Sequence, residues 1–159
     1  MEVETENPKT DIILSMARTP SEDYMQQIVS QIKTHEFRKR LYPSTVQRIW
    51  FYETSPISAI TYICGTLPAH NRITDGTLDD EIGIGNKEYN ENDGKDKDWL
   101  GYDYAYKITS CYKLPKPITL KEMKEKYGIK GAPRGMVYVT YRMMDDIKLD
   151  DQKCVWKTN

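Results

Sequence analysis

The sequence predicts a small α+β domain whose mostly antiparallel strands curl toward a barrel, with two to three helices covering its ends. Three observations carry that expectation. The apolar runs are short and rich in β-branched and aromatic residues, as strands are. Two capping boxes, Thr19-Pro20-Ser21-Glu22 and Thr119-Leu120-Lys121-Glu122, each precede apolar residues at helical spacing. The resulting order, β-α-β-β-β-insertion-β-α-β, lacks the regular alternation of a parallel α/β sheet.

Along the chain, residues 1–10 are polar and acidic and are expected to form a loose leader to a single domain over residues 11–159. Asp11–Met16 (DIILSM) is of strand length. A helix is expected from Pro20 to about Lys33, with Tyr24, Met25, Ile28, Val29 and Ile32 as its buried stripe. Residues 47–54 (QRIWFYET) and 57–66 (ISAITYICGT) flank Ser55-Pro56 and read as an antiparallel hairpin. Residues 75–101 are acidic and glycine-bearing, a loop with one short helix near Asn86 to Glu91, expected to be an insertion outside the core. Its expected anchors are Ile82, Ile84, Tyr89, Trp99 and Leu100. Tyr104–Leu114 alternates as a strand and should stop before Pro115 and Pro117. The helix after Thr119 buries Leu120, Met123 and Tyr127 and ends at Gly128. Met136–Arg142 is the last clear strand, with Cys154–Trp156 able to extend the sheet.

The net charge of −1 by itself points neither to a nucleic-acid binder nor to a disordered chain. Its distribution is uneven. Residues 31–50 hold five positive and one negative side chain, and residues 112–142 eight and two, whereas residues 75–98 hold nine acidic and three basic. If the two basic segments meet, the near-zero total conceals a positive face. Three widely spaced cysteines with no CxxC argue against a disulfide framework or a metal centre, and no cofactor motif occurs. No signal-like or membrane-spanning run is visible, so an intracellular location, cytoplasmic or nuclear, is expected.

Chemistry concentrates in Lys33-Thr34-His35-Glu36-Phe37-Arg38-Lys39-Arg40. Strand spacing sets Glu36, Arg38 and Arg40 on one face and turns Phe37 toward the core. A carboxylate among guanidinium groups orients them toward a phosphate or a base edge. The same run also reads as a solvated edge strand guarded by its charges. Arg134, in the loop Lys130-Gly131-Ala132-Pro133-Arg134-Gly135, is either a phosphate ligand or part of a plain connection. Trp50, Tyr52, Trp99, Tyr104 and Tyr106 are candidates for stacking on a base, against an ordinary role in the core. Catalytic signatures are scarce, and a hydrolase would depend on Lys33 with Glu36 beside it.

The DIILSM strand, the helix leading into Lys33-Thr34-x-Glu36-x-Arg38, RIWFYET, YAYKI and GAPRGMVYV together resemble the ASCH family of the PUA-like superfamily, over roughly residues 11–142. The resemblance implies a PUA-like barrel with a cleft for RNA or a nucleobase, its floor at Lys33 and Glu36 and its wall at Arg38. Family amidohydrolases acting on N4-acetylcytidine place a nucleophilic threonine where this chain has Glu36, and other members are ribonucleases. The expected function is thus binding of RNA, of single-stranded nucleic acid or of a modified or unpaired base by a basic cleft built from Lys33, Thr34, Glu36, Arg38, Arg40, Trp50, Tyr52 and Arg134. Two alternatives stand beside it. One is a hydrolase of the ASCH type using Lys33 and Glu36. The other is a protein-interaction adaptor or transcriptional coregulator that engages a partner through the acidic insertion.

Overall fold

Strand β1 (Asp11–Met16) buries side chains on both of its faces, and that sets the layering. Ile12, Leu14 and Met16 point into one core, shared with Met25 and Ile28 of helix α1 (Tyr24–Val29). Ile13 points into a second core on the opposite side of the sheet. A strand covered on both faces needs a continuous apolar run, as DIILSM has. The computed structural model describes residues 6–158.

After α1 come β2 (His35–Arg38), β3 (Arg48–Glu53), β4 (Ala59–Thr66), β5 (His70–Asn71), α2 (Asn86–Asn90), β6 (Tyr104–Thr119) and α3 (Leu120–Tyr127). The chain then adds β7 (Val137–Tyr138), α4 (Tyr141–Asp146), a 3-10 turn at Leu149–Asp151, and β8 (Lys153–Lys157). The sheet runs β2-β6-β4-β3-β1-β7, with β5 and β8 also paired to β6. Among the described residues only β1 and β3 pair in parallel, in register from Asp11↔Arg48 to Met16↔Glu53, and the other pairings are antiparallel. The sheet curls into a half-barrel. Alpha1 packs into the concave core beside Phe51, Tyr62 and Tyr106, while Met123 and Tyr127 of α3 and Met143 of α4 cover the other face. Each large apolar side chain fully withdrawn from water, such as Leu14 or Phe51, contributes about 1.5–3 kcal/mol.

Local chemistry explains where the elements depart from expectation. Helix α1 begins at Tyr24, because the backbones of Thr19 and Glu22 bond to each other in a tight turn before Asp23 caps the helix by accepting the Gln26 N–H. It ends at Val29, Gln31 turns the chain at φ +65°, and Ile32 is left exposed. Strand β6 continues through Pro115 and Pro117. Its register against β4 shifts between Tyr62↔Lys113 and Ile60↔Ile118, so the prolines lie in a bulge where no ladder N–H is needed. Strand β7 is short because Thr140 accepts the Met143 N–H at 3.2 Å and starts a helix where a strand was expected. That helix is the fourth α-helix among the described residues, one more than the upper expectation.

The segment 75–101 is not peripheral. Tyr89 of α2 is fully buried and, with Phe37 of β2 and Ala105 of β6, forms a third cluster against Leu78, Trp99 and Tyr102. Of its expected anchors, Tyr89 and Trp99 pack inward, whereas Ile82, Ile84 and Leu100 are exposed. The first five residues of the expected leader lie outside the described residues. Residues 6–10 run against the domain, with the Tyr141 N–H donating to the Glu6 carbonyl at 2.9 Å and the Gln47 N–H to that of Thr10 at 2.6 Å.

Candidate ligand cleft

The chain between α1 and β2 is pinned by its backbone before any side chain acts. The Lys33 N–H bonds to the Gln27 carbonyl and the Ile108 N–H to the Thr34 carbonyl, both at 3.0 Å. Strand β2 then pairs with β6, placing Glu36 opposite Tyr106 and Phe37 opposite Ala105. One face of β2 therefore meets the half-barrel and the other meets the 75–101 segment. Glu36 and Phe37 are both buried in consequence, each with 6% exposure.

A cleft of about 640 Å³ opens here. Lys33 and Glu36 line its polar part, and Tyr24, Phe37, Trp99 and Tyr102 supply aromatic walls. Phe37 is anchored by the inserted segment rather than by the barrel core. It stacks on Tyr89 and meets Trp99 edge-on, with ring centroids 5.2 Å apart in both pairs. Gly85, at φ +88°, allows this closeness, since a Cβ there would lie 2.7 Å from the Phe37 ring and 3.3 Å from Trp99.

Lys33 is buried with its ammonium 4.7 Å from the centre of the Phe37 ring and 5.5 Å from that of Tyr24. Burial pushes its pKa below the ordinary 10.5, Glu36 opposes that shift, and Arg38 reinforces it. Oε1 of Glu36 is 3.7 Å from Nε of Arg38, too long for a hydrogen bond, and its buried Oε2 accepts none among the described residues. Arg38 instead donates from Nη2 to the Ser15 carbonyl at 2.9 Å, and the Ser15 hydroxyl donates to the Pro133 carbonyl at 2.5 Å.

Only part of the expected site assembles. Lys33 and Glu36 converge on the cleft with Arg38 beside them. Thr34 is turned away, its hydroxyl 2.9 Å from Nδ1 of His35 and accepting from Asn86 Nδ2 at 3.3 Å. Trp50 and Tyr52 are core residues, because β3 is a central strand covered on both faces, and Trp50 donates to Asp11 at 2.8 Å. Tyr106 lies within the half-barrel, donating to the Arg40 carbonyl at 2.8 Å. Arg40 borders a separate groove with Tyr42, Met136 and Tyr138, and Arg134 is exposed on its loop. The two basic segments approach each other at this groove, where Arg40 Nη1 lies 3.9 Å from the place a Gly135 Cβ would take.

The expectation of a basic cleft is corrected by its lining. Among the described residues that line it, Lys33 is the sole cation, against the carboxylates of Glu22, Glu36 and Asp98. The inserted segment adds one of these acids, Asp98, and Glu22 comes from the turn before α1. Sequence reasoning missed Tyr24, Tyr102, Gly85 and the two outer carboxylates as parts of the site. The available signal was Trp99 and Tyr102, two aromatics standing together in an otherwise polar segment.

No family model matches the chain, and no curated protein matches it. Among solved structures it is similar to ASCH from Zymomonas mobilis, with 18% identity, a TM-score of 0.58, and coverage of 91% of this chain and 97% of that one. Two crystal structures of mutants of that protein match likewise, at 18% identity and TM-scores of 0.58 and 0.56. The first covers 88% of this chain and 95% of its own, the second 91% and 99%. The fold is therefore ASCH-like, an α+β half-barrel of the kind anticipated from the order of the elements. Among the described residues, no helix is long and apolar enough to cross a membrane.

Proposed function

We propose that the cleft binds a nucleobase, presented by an unpaired stretch of RNA or by a nucleoside. The observation that carries this reading is the Oε2 atom of Glu36, a buried acceptor with no donor. Such an atom costs about 1–3 kcal/mol, a cost that a ligand N–H removes on binding. The surroundings agree. A planar base matches a slot bordered by Phe37, Trp99 and Tyr102, and Lys33 supplies a donor for a base carbonyl or ring nitrogen. The ASCH-like fold supports the same reading.

Calorimetric titration with the four ribonucleosides and with a short single-stranded RNA, at low and moderate salt, tests it. Glu36→Gln and Lys33→Ala should each weaken binding by about tenfold or more, as expected for loss of a hydrogen bond to a charged group. Unchanged affinity in both variants, or no binding by the wild type, overturns it.

One observation favours a second reading, hydrolysis of an amide or phosphodiester on the bound nucleoside. Burial lowers the pKa of Lys33, which raises the fraction of neutral amine able to act as base or nucleophile. Incubation with N4-acetylcytidine and with RNA, followed by chromatography, should then yield product above a Lys33→Ala control. Equal product in both removes this reading.

A further inference from the structure

Base stacking gives no reason for the carboxylates at the cleft's outer walls. Glu22 sits in the turn before α1 and Asp98 precedes Trp99 on the inserted segment, and both line the cleft. Neither forms an ion pair among the described residues, although Glu22 accepts from Nε2 of Gln27 and its charge bears on Lys33. The nearby cations are otherwise engaged. Lys33 is drawn inward against Phe37 and Tyr24, Arg38 donates to the Ser15 carbonyl, and Lys39 lies over the Tyr102 ring at 5.1 Å. The inner end therefore offers one carboxylate oxygen with no donor among the described residues, while the walls carry two negative charges that no ion pair neutralises.

We infer that Glu22 and Asp98 are specificity-determining residues that act as an electrostatic filter, admitting a base on an uncharged sugar and turning away its phosphorylated form. This rests on the base-binding reading of the same cleft and narrows its ligand class. A 5′-phosphate carried in with the base approaches both carboxylates, and like charges at this range repel measurably even in high dielectric. An unphosphorylated nucleoside avoids that repulsion and still satisfies Glu36. Neutralising the two walls should restore the phosphate without touching the groups that hold the base.

The test compares each ribonucleoside with its own 5′-monophosphate, by calorimetry at low salt, in the wild type and in Glu22→Gln/Asp98→Asn. Wild type should prefer the nucleoside by about tenfold, a preference that shrinks as salt screens the charges. The double variant should bring the two ligands to within about twofold of each other, chiefly by tightening the monophosphate. Both replacements keep side-chain size and polarity at sites that do not enter a core, so folding is preserved. Equal or tighter monophosphate binding by the wild type overturns the filter while leaving base binding intact. A preference that survives in the double variant overturns it as well. If neither ligand binds, the base-binding reading falls and the filter with it.

Discussion

Glu36 holds a carboxylate oxygen that the fold buries without pairing, so its replacement should separate binding from stability. Glu36→Gln keeps the shape and removes the charge. The urea midpoint should stay close to wild type, because relief of a buried charge offsets the loss of the carboxylate that faces Lys33, while nucleoside binding weakens by about tenfold or more. Lys33 gives a second measurable. Its pKa is lowered in the fold, so the unfolded chain holds more protons between the folded pKa and 10.5, and stability rises with pH across that window. Urea unfolding from pH 7 to 10 should show the wild type gaining on Lys33→Met. His35 has its pKa lowered to about 4, by burial first and then by the charges of Lys107, His70 and Lys33. Below pH 6.5 the unfolded chain takes a proton that the folded chain refuses, so stability falls from pH 6.5 to about 4. His35→Gln should flatten that fall. That Lys33 and Glu36 would stand together was legible because a dense charge run enters a strand there, and both line the cleft. Trp50 and Tyr52 were misread, because an aromatic's local pattern does not say whether its strand is central or at an edge.

Elements were legible where their signals are local. The box at Thr119 matches α3, whose cap oxygen accepts the Glu122 N–H at 3.1 Å and whose Gly128 closes it at φ +69°. Thr119→Ala should cost about 1 kcal/mol in chemical denaturation. The similar box at Thr19 made only a turn, since Asp23 competes four residues later as the cap. The passage of β6 through two prolines was hidden because a bulge belongs to a strand pair rather than to one segment. The docking of the 75–101 segment was hidden for a related reason, as Phe37, Tyr89 and Trp99 lie far apart in sequence. Gly85→Ala tests that docking. It sets a Cβ 2.7 Å from the Phe37 ring at a left-handed φ, so the wall should shift, Trp99 emission should change, and ligand binding should weaken.

Across the whole molecule, the acidic segment behaves as a fixed wall rather than a lid, because polar side chains fasten its backbone. Arg72 holds Asp103 through Nε and Nη2 and the Asn92 carbonyl through Nη1 at 2.7 Å, while Asn86 Nδ2 reaches the Asp79 and Ile82 carbonyls. Arg72→Ala should speed limited proteolysis within residues 75–101 while the half-barrel core stays protected. The uneven charge along the chain was legible, but not that three carboxylates and one lysine would line the cleft. Strand β6 also governs the order in which the molecule can be built. It pairs with β2, β4, β5 and β8, so on the ribosome β1, β3 and β4 can associate while β2, β5 and the outer side of β4 still lack a neighbour. Closure then waits for a distant strand, which makes folding slow for the size of the domain and leaves open strand edges exposed in nascent chains. A chain halted before Tyr104 is therefore the form most prone to aggregate or to need a chaperone.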